Sequence, residues 1–288
     1  MDISKMNTPD QEVLKEVRMV HSVCSEHDGL KGNLSLDTSI NFNPDIPCLF
    51  LLYQDGILVS FISMFIPTPA EAEISAYTLP EYRRRGFFKA LLQEAAREIK
   101  KYNIPELLFV CEPQSKAGMA AVKELNAELD FTEYFLKYSG ISGDTEQCNF
   151  SGIKLEKADK EDIDSLVSLC CEIFDDSYEV ARSMISKTLA TDCRLQYKAI
   201  LEDKLIGMLS VGMENDEACI FGFGVSPKYQ GRGFGKEILK LMVNDLRNQG
   251  LENITIEVDS SNENAFKLYK KSGFAVEAAF GYYRKPVI

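Results

Sequence analysis

The 288-residue chain has only two histidines, and its eight cysteines form no C-x-x-C pair. His21 and His27 lie away from any cysteine cluster, so the sequence predicts no zinc site and no other metal cofactor. Cysteines without paired spacing are expected to be reduced and mostly buried, as in a cytosolic protein. We therefore expect a cytoplasmic protein without structural disulfides.

Long apolar runs are also missing. The longest, near 57–66, is far short of the ~20 residues that a membrane-spanning helix needs. The N-terminal residues MDISKMNTPDQE contain no apolar segment typical of a secretion signal. We therefore expect that the protein is not exported and has no membrane partner.

Positive charge is scarce: 32 Lys and Arg stand against 44 Asp and Glu, a formal net charge of −12. A broad nucleic-acid surface needs Lys and Arg to neutralise phosphates, so we expect no nucleic-acid partner. The acidic balance is compatible with a cationic substrate such as an amine. The length favours two domains over one.

One stretch, 221–236, reads FGFGVSPKYQGRGFGK and predicts a strand, a turn at Pro227, a glycine-rich loop and a helix start. Gly231, Gly233 and Gly235 precede an amphipathic run. Glycines at this spacing leave backbone N–H groups uncovered at a helix N-terminus, where the partial positive charge of the helix dipole favours an anionic phosphate. Arg232 and Lys236 add positive side chains.

Three other interpretations of this loop are a flexible turn, a Walker loop and a dinucleotide-binding loop. A flexible turn between strand and helix needs no ligand at all. A Walker loop fails because Gln230 replaces its first glycine and Glu237 replaces its Ser or Thr. The dinucleotide pattern G-x-G-x-x-G fails because the glycines are spaced G-x-G-x-G.

The pattern that fits is Q-x-x-G-x-G, met by Gln230, Gly233 and Gly235. A predicted strand at 253–259 is followed by N-x-x-A and then LY-x-K-x-GF. The matching residues are Asn262, Ala265, Leu268, Tyr269, Lys271, Gly273 and Phe274. With these two motifs in order, the chain resembles the GNAT superfamily of acyl-CoA-dependent N-acetyltransferases. The resemblance covers 153–288 well and about 1–139 poorly.

The first half repeats the second at a constant offset of 147 positions (Pro227 against Pro80). The repeated residues are Pro80, Tyr82, Gly86, Phe87, Lys89 and Leu92, against Pro227, Tyr229, Gly233, Phe234, Lys236 and Leu239. Six matches in one short window favour duplication over chance.

The first copy departs from the second where the chemistry is expected. Arg83, Arg84 and Phe88 replace Gln230, Gly231 and Gly235. We align Leu125 and Asn126 near the Leu268–Tyr269 position, so the tyrosine is missing. Residues 83–85 are either a solvated basic turn or a degenerate cofactor loop that still binds phosphates.

The fold class predicted is α/β (an α+β mixed sheet flanked by helices), arranged as two tandem GNAT-like domains. Helices are expected at 8–28 (capped by Thr8 or Asp10), up to 102, at 117–129, 159–174 and 178–189, and after the second glycine loop. Strands are expected at 48–53, 57–66, 73–78, 106–111, 131–138, 153–157, 196–202, 205–213, 217–225 and 253–259, with closing strands near 281–288. The domains predicted are 1–139 (degenerate), 140–152 (linker) and 153–288 (catalytic).

The resemblance implies transfer of an acetyl group from acetyl-CoA to a primary amine of a small molecule or peptide. It places the diphosphate on the loop and the pantetheine arm beside the strand that ends at Val225, whose N–H would polarise the thioester carbonyl. The coenzyme-binding residues implied are Phe223, Val225, Gln230, Gly231, Arg232, Gly233, Phe234, Gly235, Lys236, Asn264 and Tyr269. Asn264 is alternatively a helix cap or a loop residue.

Tyr269 is the candidate general acid, which would protonate the departing thiolate; the alternative is a packing tyrosine. Glu217 is the candidate base, although it lies two residues before the best-matching position, Cys219. The alternatives are Asp216, Glu172 or water. Tyr282 and Tyr283 line the acceptor pocket or simply pack the core.

Two rival functions remain at this stage: a non-catalytic acyl-CoA-binding regulatory or scaffold protein, and a nucleotide-binding module. The sequence does not identify the acceptor amine or decide whether the first domain binds CoA, and it leaves a homodimer open.

Overall fold

The structure is a computed structural model that describes residues 2–34, 36–140, 152–214 and 216–287. Its contacts divide the chain into unit 1, Met1–Glu133 with Ala278–Ile288, and unit 2, Tyr134–Glu277. Both divisions fall inside strands. Residues 141–151 of the predicted linker lie outside the described residues, and the domain bounds at 139 and 153 stay a prediction.

Unit 1 is built on a mixed sheet in the order β1-β2-β3-β4-β5-β12, in which only β4 and β5 run parallel. Its strands are β1 Asp2–Met6, β2 Leu49–Gln54, β3 Ile57–Phe65, β4 Glu71–Thr78, β5 Glu106–Cys111, the start of β6 Glu128–Tyr138, and the second part of β12 Phe274–Pro286. Its helices are α1 Gln11–Asp28, α2 Phe87–Lys100 and α3 Lys116–Glu124, with a 3-10 turn at Pro80–Tyr82.

Unit 2 repeats this plan with the strand order β11-β10-β9-β8-β7, where only β10 and β11 run parallel. Its strands are β7 Ile153–Lys157, β8 Arg194–Leu201, β9 Lys204–Glu214, β10 Glu217–Val225 and β11 Asn253–Asp259. Its helices are α4 Ile163–Phe174, α5 Tyr178–Thr188, α6 Phe234–Asn248 and α7 Glu263–Lys271, with 3-10 turns at Lys160–Asp162 and Pro227–Tyr229.

Helices cover both faces of the unit 2 sheet. The apolar stripe of α6 (Phe234, Ile238, Leu239, Met242, Leu246) packs with Ile254 and Ile256 of β11. Met208 of β9 belongs instead to the core formed by α4 and α5. Because successive strand residues point to opposite faces, one sheet serves two helical layers. The predicted mixed sheet flanked by helices is confirmed.

Several predicted elements have different bounds. β1 is a strand that no sequence pattern predicts, and α1 is capped by Asp10, whose carboxylate accepts from Glu12 N and Val13 N. The helix predicted at 117–129 ends at Glu124, because Asn126 takes a left-handed conformation (φ 51°) and the chain turns into β6. The closing strands are one strand, β12. Among the described residues, no helix is long and apolar enough to cross a membrane.

Candidate functional site

The edge of β10 is open near its C-terminal end. Its pairing with β11 covers four residues and ends at Ile220–Ile256. Its pairing with β9 passes from Phe221–Ser210 to Gly224–Met208, so three steps on β10 match two on β9. This one-residue β-bulge, which contains Gly222 with φ 55°, bends the strand where β11 has separated from it. Residues 221–225 thus present backbone polar groups that β11 does not pair with.

The glycine loop leads from this edge to the start of α6. Gly231 and Gly233 have φ of 72° and 86°, the left-handed region that favours glycine. Gly233 occupies the cap position of α6 and, having no side chain, makes no side-chain cap hydrogen bond. A Cβ at Gly231 would meet nothing within 4 Å, whereas one at Gly235 would lie 3.2 Å from Leu268 Cδ2. This is a cradle suited to a diphosphate.

Side chains around the loop are held by specific contacts. The Arg232 guanidinium lies over the rings of Tyr229 (5.7 Å) and Phe234 (5.2 Å), both cation–π distances. Phe234 itself is buried. Gln230 Nε2 donates to the carbonyl oxygen of Val225 at 2.9 Å. The sequence motif predicted the position of Gln230 but not this contact.

Tyr269 lies on α7 beneath the same strand end. It is 5% exposed, and its ring centroid is 6.3 Å from that of Phe223 on β10. Burial raises the pKa of the Tyr269 phenol to about 12. Within the described part of the chain its hydroxyl has no hydrogen-bond partner. The phenol therefore keeps its proton at neutral pH, as a general acid must.

Asn264 is exposed in the first turn of α7. The cap of this helix is Asn262, whose side chain accepts from Ala265 N at 3.1 Å. The alternative cap role for Asn264 is therefore wrong, and its contact with CoA stays a prediction.

Glu217 lies at the opposite end of β10 from the loop. Its carboxylate accepts from Thr255 Oγ1 at 3.1 Å, and burial raises its pKa. Phe223 lies six positions further along the strand, which corresponds to roughly 20 Å. At the best-matching position, burial raises the pKa of the Cys219 thiol to about 12, so this group is not a base at neutral pH.

The other acids weighed as bases are differently placed. Glu172, near the end of α4, accepts from Ser226 Oγ at 3.4 Å and pairs with Lys228 Nζ at 3.4 Å. Glu172 is thus in contact with Ser226, the residue that follows Val225. Asp216 is exposed in the turn before β10. Among the described residues, no group of three or more His, Cys, Asp or Glu side chains is placed to hold a metal ion.

Tyr282 and Tyr283 belong to unit 1. The Tyr282 hydroxyl donates to Glu133 at 2.7 Å, and its ring stacks on Phe131 at 4.4 Å. The Tyr283 hydroxyl contacts Met119 Sδ at 3.5 Å. These contacts favour the packing interpretation for both residues.

The structure corrects the alignment of the two copies. α3 and α7 have nine residues each, and Lys116 and Glu263 begin them at the same offset of 147 as the glycine turns. Val122 therefore corresponds to Tyr269, and Ala121 to Leu268. The alignment with Leu125 and Asn126 is wrong because α3 ends before them, although the tyrosine is still missing from the first copy.

Comparison with known families agrees with this duplicated geometry. The chain matches the family described as Acetyltransferase (GNAT) family over residues 16–125 and again over 162–274, together more than half of its length. The chain belongs to the GNAT acetyltransferase family. Each match contains one of the two glycine turns, so both units carry a GNAT domain.

Individual relatives are more distant. The chain is 38% identical over 93 residues to a "[Ribosomal protein bS18]-alanine N-acetyltransferase" of Haemophilus influenzae, an alignment covering 32% of this chain and 63% of that protein. The chain thus spans less than two thirds of the length of this curated relative. This GNAT chain is similar in fold to a GCN5-related N-acetyltransferase from Sphaerobacter thermophilus (TM-score 0.75, 16% identity, 99% of this chain and 96% of that one). A tandem GNAT protein from the clavulanic acid biosynthesis pathway gives a TM-score of 0.70 at 16% identity, covering 100% and 99%.

Proposed function

We propose that this protein is an acetyl-CoA-dependent N-acetyltransferase whose active site lies in unit 2 and whose acceptor is a primary amine. The observation that carries the proposal is the continuity of three features. The bulged edge of β10, which β11 does not pair with, runs into the glycine loop, the loop ends at a helix N-terminus with glycine in the cap position, and Tyr269 is buried beside the strand.

The residues present fit the coenzyme. The N–H groups from Gly231 to Lys236 suit the diphosphate, and the open edge from Phe223 to Val225 suits an extended arm that hydrogen-bonds like a strand. When bound, acetyl-CoA supplies an activated acetyl group. The Val225 N–H is the donor for the thioester carbonyl, and Tyr269 holds a proton on its phenol oxygen for the sulfur.

The acid that activates the amine stays a prediction. Glu217 is about 20 Å along the strand from Phe223, so it would need a water relay. Glu172 is the alternative nearer to Val225, through its contact with Ser226. Replacing each by its amide and comparing the pH profiles of turnover distinguishes them: the true base shifts the acidic limb of the profile, and the other does not.

For the acceptor, we favour a peptide N-terminus over a free small-molecule amine. The support is the relative named for the alanine of ribosomal protein bS18. The excess of acidic residues over basic ones is compatible with either cationic acceptor.

Calorimetry with acetyl-CoA, followed by thiol release over a panel of amines that includes peptides with N-terminal alanine, tests the proposal. We expect one-to-one binding and amine-dependent thiol release. Binding without release for any amine would favour a regulatory acyl-CoA-binding protein. Displacement of acetyl-CoA by ATP or NAD at comparable concentrations would favour the nucleotide-binding alternative.

A further inference from the structure

The side chain of Gln230 closes a turn rather than extending toward solvent. Gln230 follows the 3-10 turn Pro227–Tyr229, and its amide nitrogen reaches back five residues to the Val225 carbonyl at 2.9 Å. Because Val225 is the last residue of β10, this bond joins the end of the strand to the beginning of the glycine loop.

The direction of that carbonyl follows from the neighbouring strand. Ser226 N–H donates to Ile206 O at 2.8 Å, so Ser226 faces β9. Consecutive residues of an antiparallel strand direct their backbone groups to opposite sides. The N–H and C=O of Val225 therefore point to the edge that β11 has left after Ile256. The Gln230 side chain donates to the Val225 carbonyl, and the Val225 N–H remains available to donate to a ligand at this edge.

Unit 1 contains the same contact made by a different residue. Arg83 Nε donates to the Thr78 carbonyl at 3.0 Å, and Leu79 N–H donates to Val59 O at 2.9 Å. Arg83 and Thr78 precede Gln230 and Val225 by the same 147 positions. The contact is thus kept in a copy that has lost two loop glycines, which indicates that it serves the backbone of the turn.

We infer that Gln230 is a positioning residue for acyl transfer. Its amide holds the Val225 carbonyl so that the Val225 N–H stays directed to the open edge, and it does not act by contacting the diphosphate. This inference rests on the proposed function, since it concerns the same coenzyme site.

The test separates the two halves of the coenzyme. Calorimetry compares acetyl-CoA with 3′-phosphoadenosine 5′-diphosphate, which carries the diphosphate but not the pantetheine arm. Since the strand end contacts only the arm, we expect Gln230→Leu to raise the Kd for acetyl-CoA about tenfold and that for the diphosphate fragment less than about twofold. Gln230→Arg, which reproduces the donor found in unit 1, is expected to restore acetyl-CoA binding to within about threefold.

A matched control is Gln249→Leu, the same change at an exposed glutamine whose side chain donates to Asp245 Oδ2 at 2.8 Å, at the far end of α6. We expect this variant to bind both ligands as the wild type does. Equal losses for both ligands in Gln230→Leu would indicate a direct diphosphate contact and overturn the inference, as would an unchanged Kd for acetyl-CoA. Absence of acetyl-CoA binding by the wild type would instead overturn the proposed function, and this inference with it.

Discussion

The two glycine turns of this protein fold alike although only one has kept its glycines. Arg84, with φ 65°, takes the left-handed conformation that Gly231 takes with φ 72°. Gly86 and Gly233 both cap the following helix without a side-chain hydrogen bond. The comparison shows that the strand, the helix and the carbonyl contact set the path of the turn. Arg84 in place of the glycine found at position 231 does not change that path.

The strands that lead into the turns do differ. β4 pairs with β3 without interruption from Phe65–Glu73 to Ser60–Thr78, whereas β10 carries a bulge. The extra residue is visible in the offsets: Glu71 and Glu217, which begin equivalent ladders, are 146 positions apart, whereas Thr78 and Val225, which follow the bulge, are 147 apart. Only unit 2 has the distorted strand on which we place the thioester.

The packing beneath the turns has changed in a complementary way. In unit 2, Gly235 lies under Leu268 and beside Phe223; in unit 1 the corresponding residues are Phe88 and Ala121. The larger side chain of the pair thus stands on the helix α7 in unit 2 and at the start of α2 in unit 1. Val122 in place of Tyr269 also removes the phenol that we propose as the proton donor.

The largest expected effect comes from giving unit 2 the residue of unit 1. Gly235→Phe introduces a ring where even a Cβ lies 3.2 Å from Leu268, beside Val225 and Phe223. We expect the affinity for acetyl-CoA to fall by more than about 100-fold, because the ring fills the cradle and displaces the strand end. Calorimetry measures it.

Two companion variants make this result specific. Gly235→Phe with Leu268→Ala recreates the unit 1 pair, and we expect it to recover thermal stability but not binding. Phe88→Gly in unit 1 should leave the affinity for acetyl-CoA unchanged. Loss of binding in Phe88→Gly would mean that unit 1 contributes to the coenzyme site and would break the comparison.

The second effect concerns the proton donor. Tyr269→Phe keeps the buried ring beside Phe223 and removes only the hydroxyl, so we expect turnover to fall by roughly 100-fold while acetyl-CoA binding survives. Steady-state thiol release with the acceptor at saturation measures it. Unchanged turnover would remove Tyr269 from the mechanism and leave it a packing residue.

These contrasts also show what the sequence could predict. The glycine loop, the repeat and the mixed sheet depend on local patterns, namely glycine spacing, a constant offset and apolar periodicity, and these were predicted from residues near each other in the chain. The bulge in β10 and the pairing of β12 with β5 depend on partners far away along the sequence. A pattern within one strand does not specify its neighbours, so these features appeared only in the structure.

The site shows the same division. The motif predicts Tyr269 as a candidate general acid, and this role stays a prediction. The displaced alignment of the other copy, Leu125 instead of Val122, arises from extending α3 past Asn126, whose left-handed conformation ends the helix. β1 was missed because Asp2–Met6 is short and half-polar, and becomes a strand by pairing with β2. The distance between Glu217 and the loop is likewise not specified by a motif, because a motif gives positions along the sequence and not distances in space.

The third effect concerns the stability that an ion pair gives to the turn in unit 1. In unit 1 the guanidinium of Arg83 also binds both oxygens of Asp28, at 2.9 and 2.7 Å, and this hydrogen bonding lowers the pKa of Asp28. A carboxyl group whose pKa is lowered in the folded state stabilises the fold at pH values above its pKa in the unfolded chain, near 3.9. That stabilisation is lost as the pH falls through the folded-state pKa.

We therefore expect Asp28→Asn to cost about 2 kcal/mol at pH 7 and progressively less below pH ~4. Urea unfolding across this pH range measures it. Glu12→Gln, on the exposed side of the same helix, removes a solvent-exposed pair with Lys15; it is the control and should cost less than about 0.5 kcal/mol. A cost for Asp28→Asn that does not change with pH would mean that the ion pair is not what fastens the unit 1 turn.

The smallest effect tests whether the two left-handed positions are equivalent. Gly231→Ala places a Cβ in a conformation that costs about 1–2 kcal/mol for a non-glycine residue, without any steric contact within 4 Å. The reverse change, Arg84→Gly, relieves that strain but adds about 0.5–1 kcal/mol of chain entropy to the unfolded state, so its net gain is expected to stay below about 1 kcal/mol. Denaturant midpoints measure both. Loss of stability in Arg84→Gly would mean that the arginine side chain supports its turn through contacts, and the two turns would then share a conformation without sharing its cause.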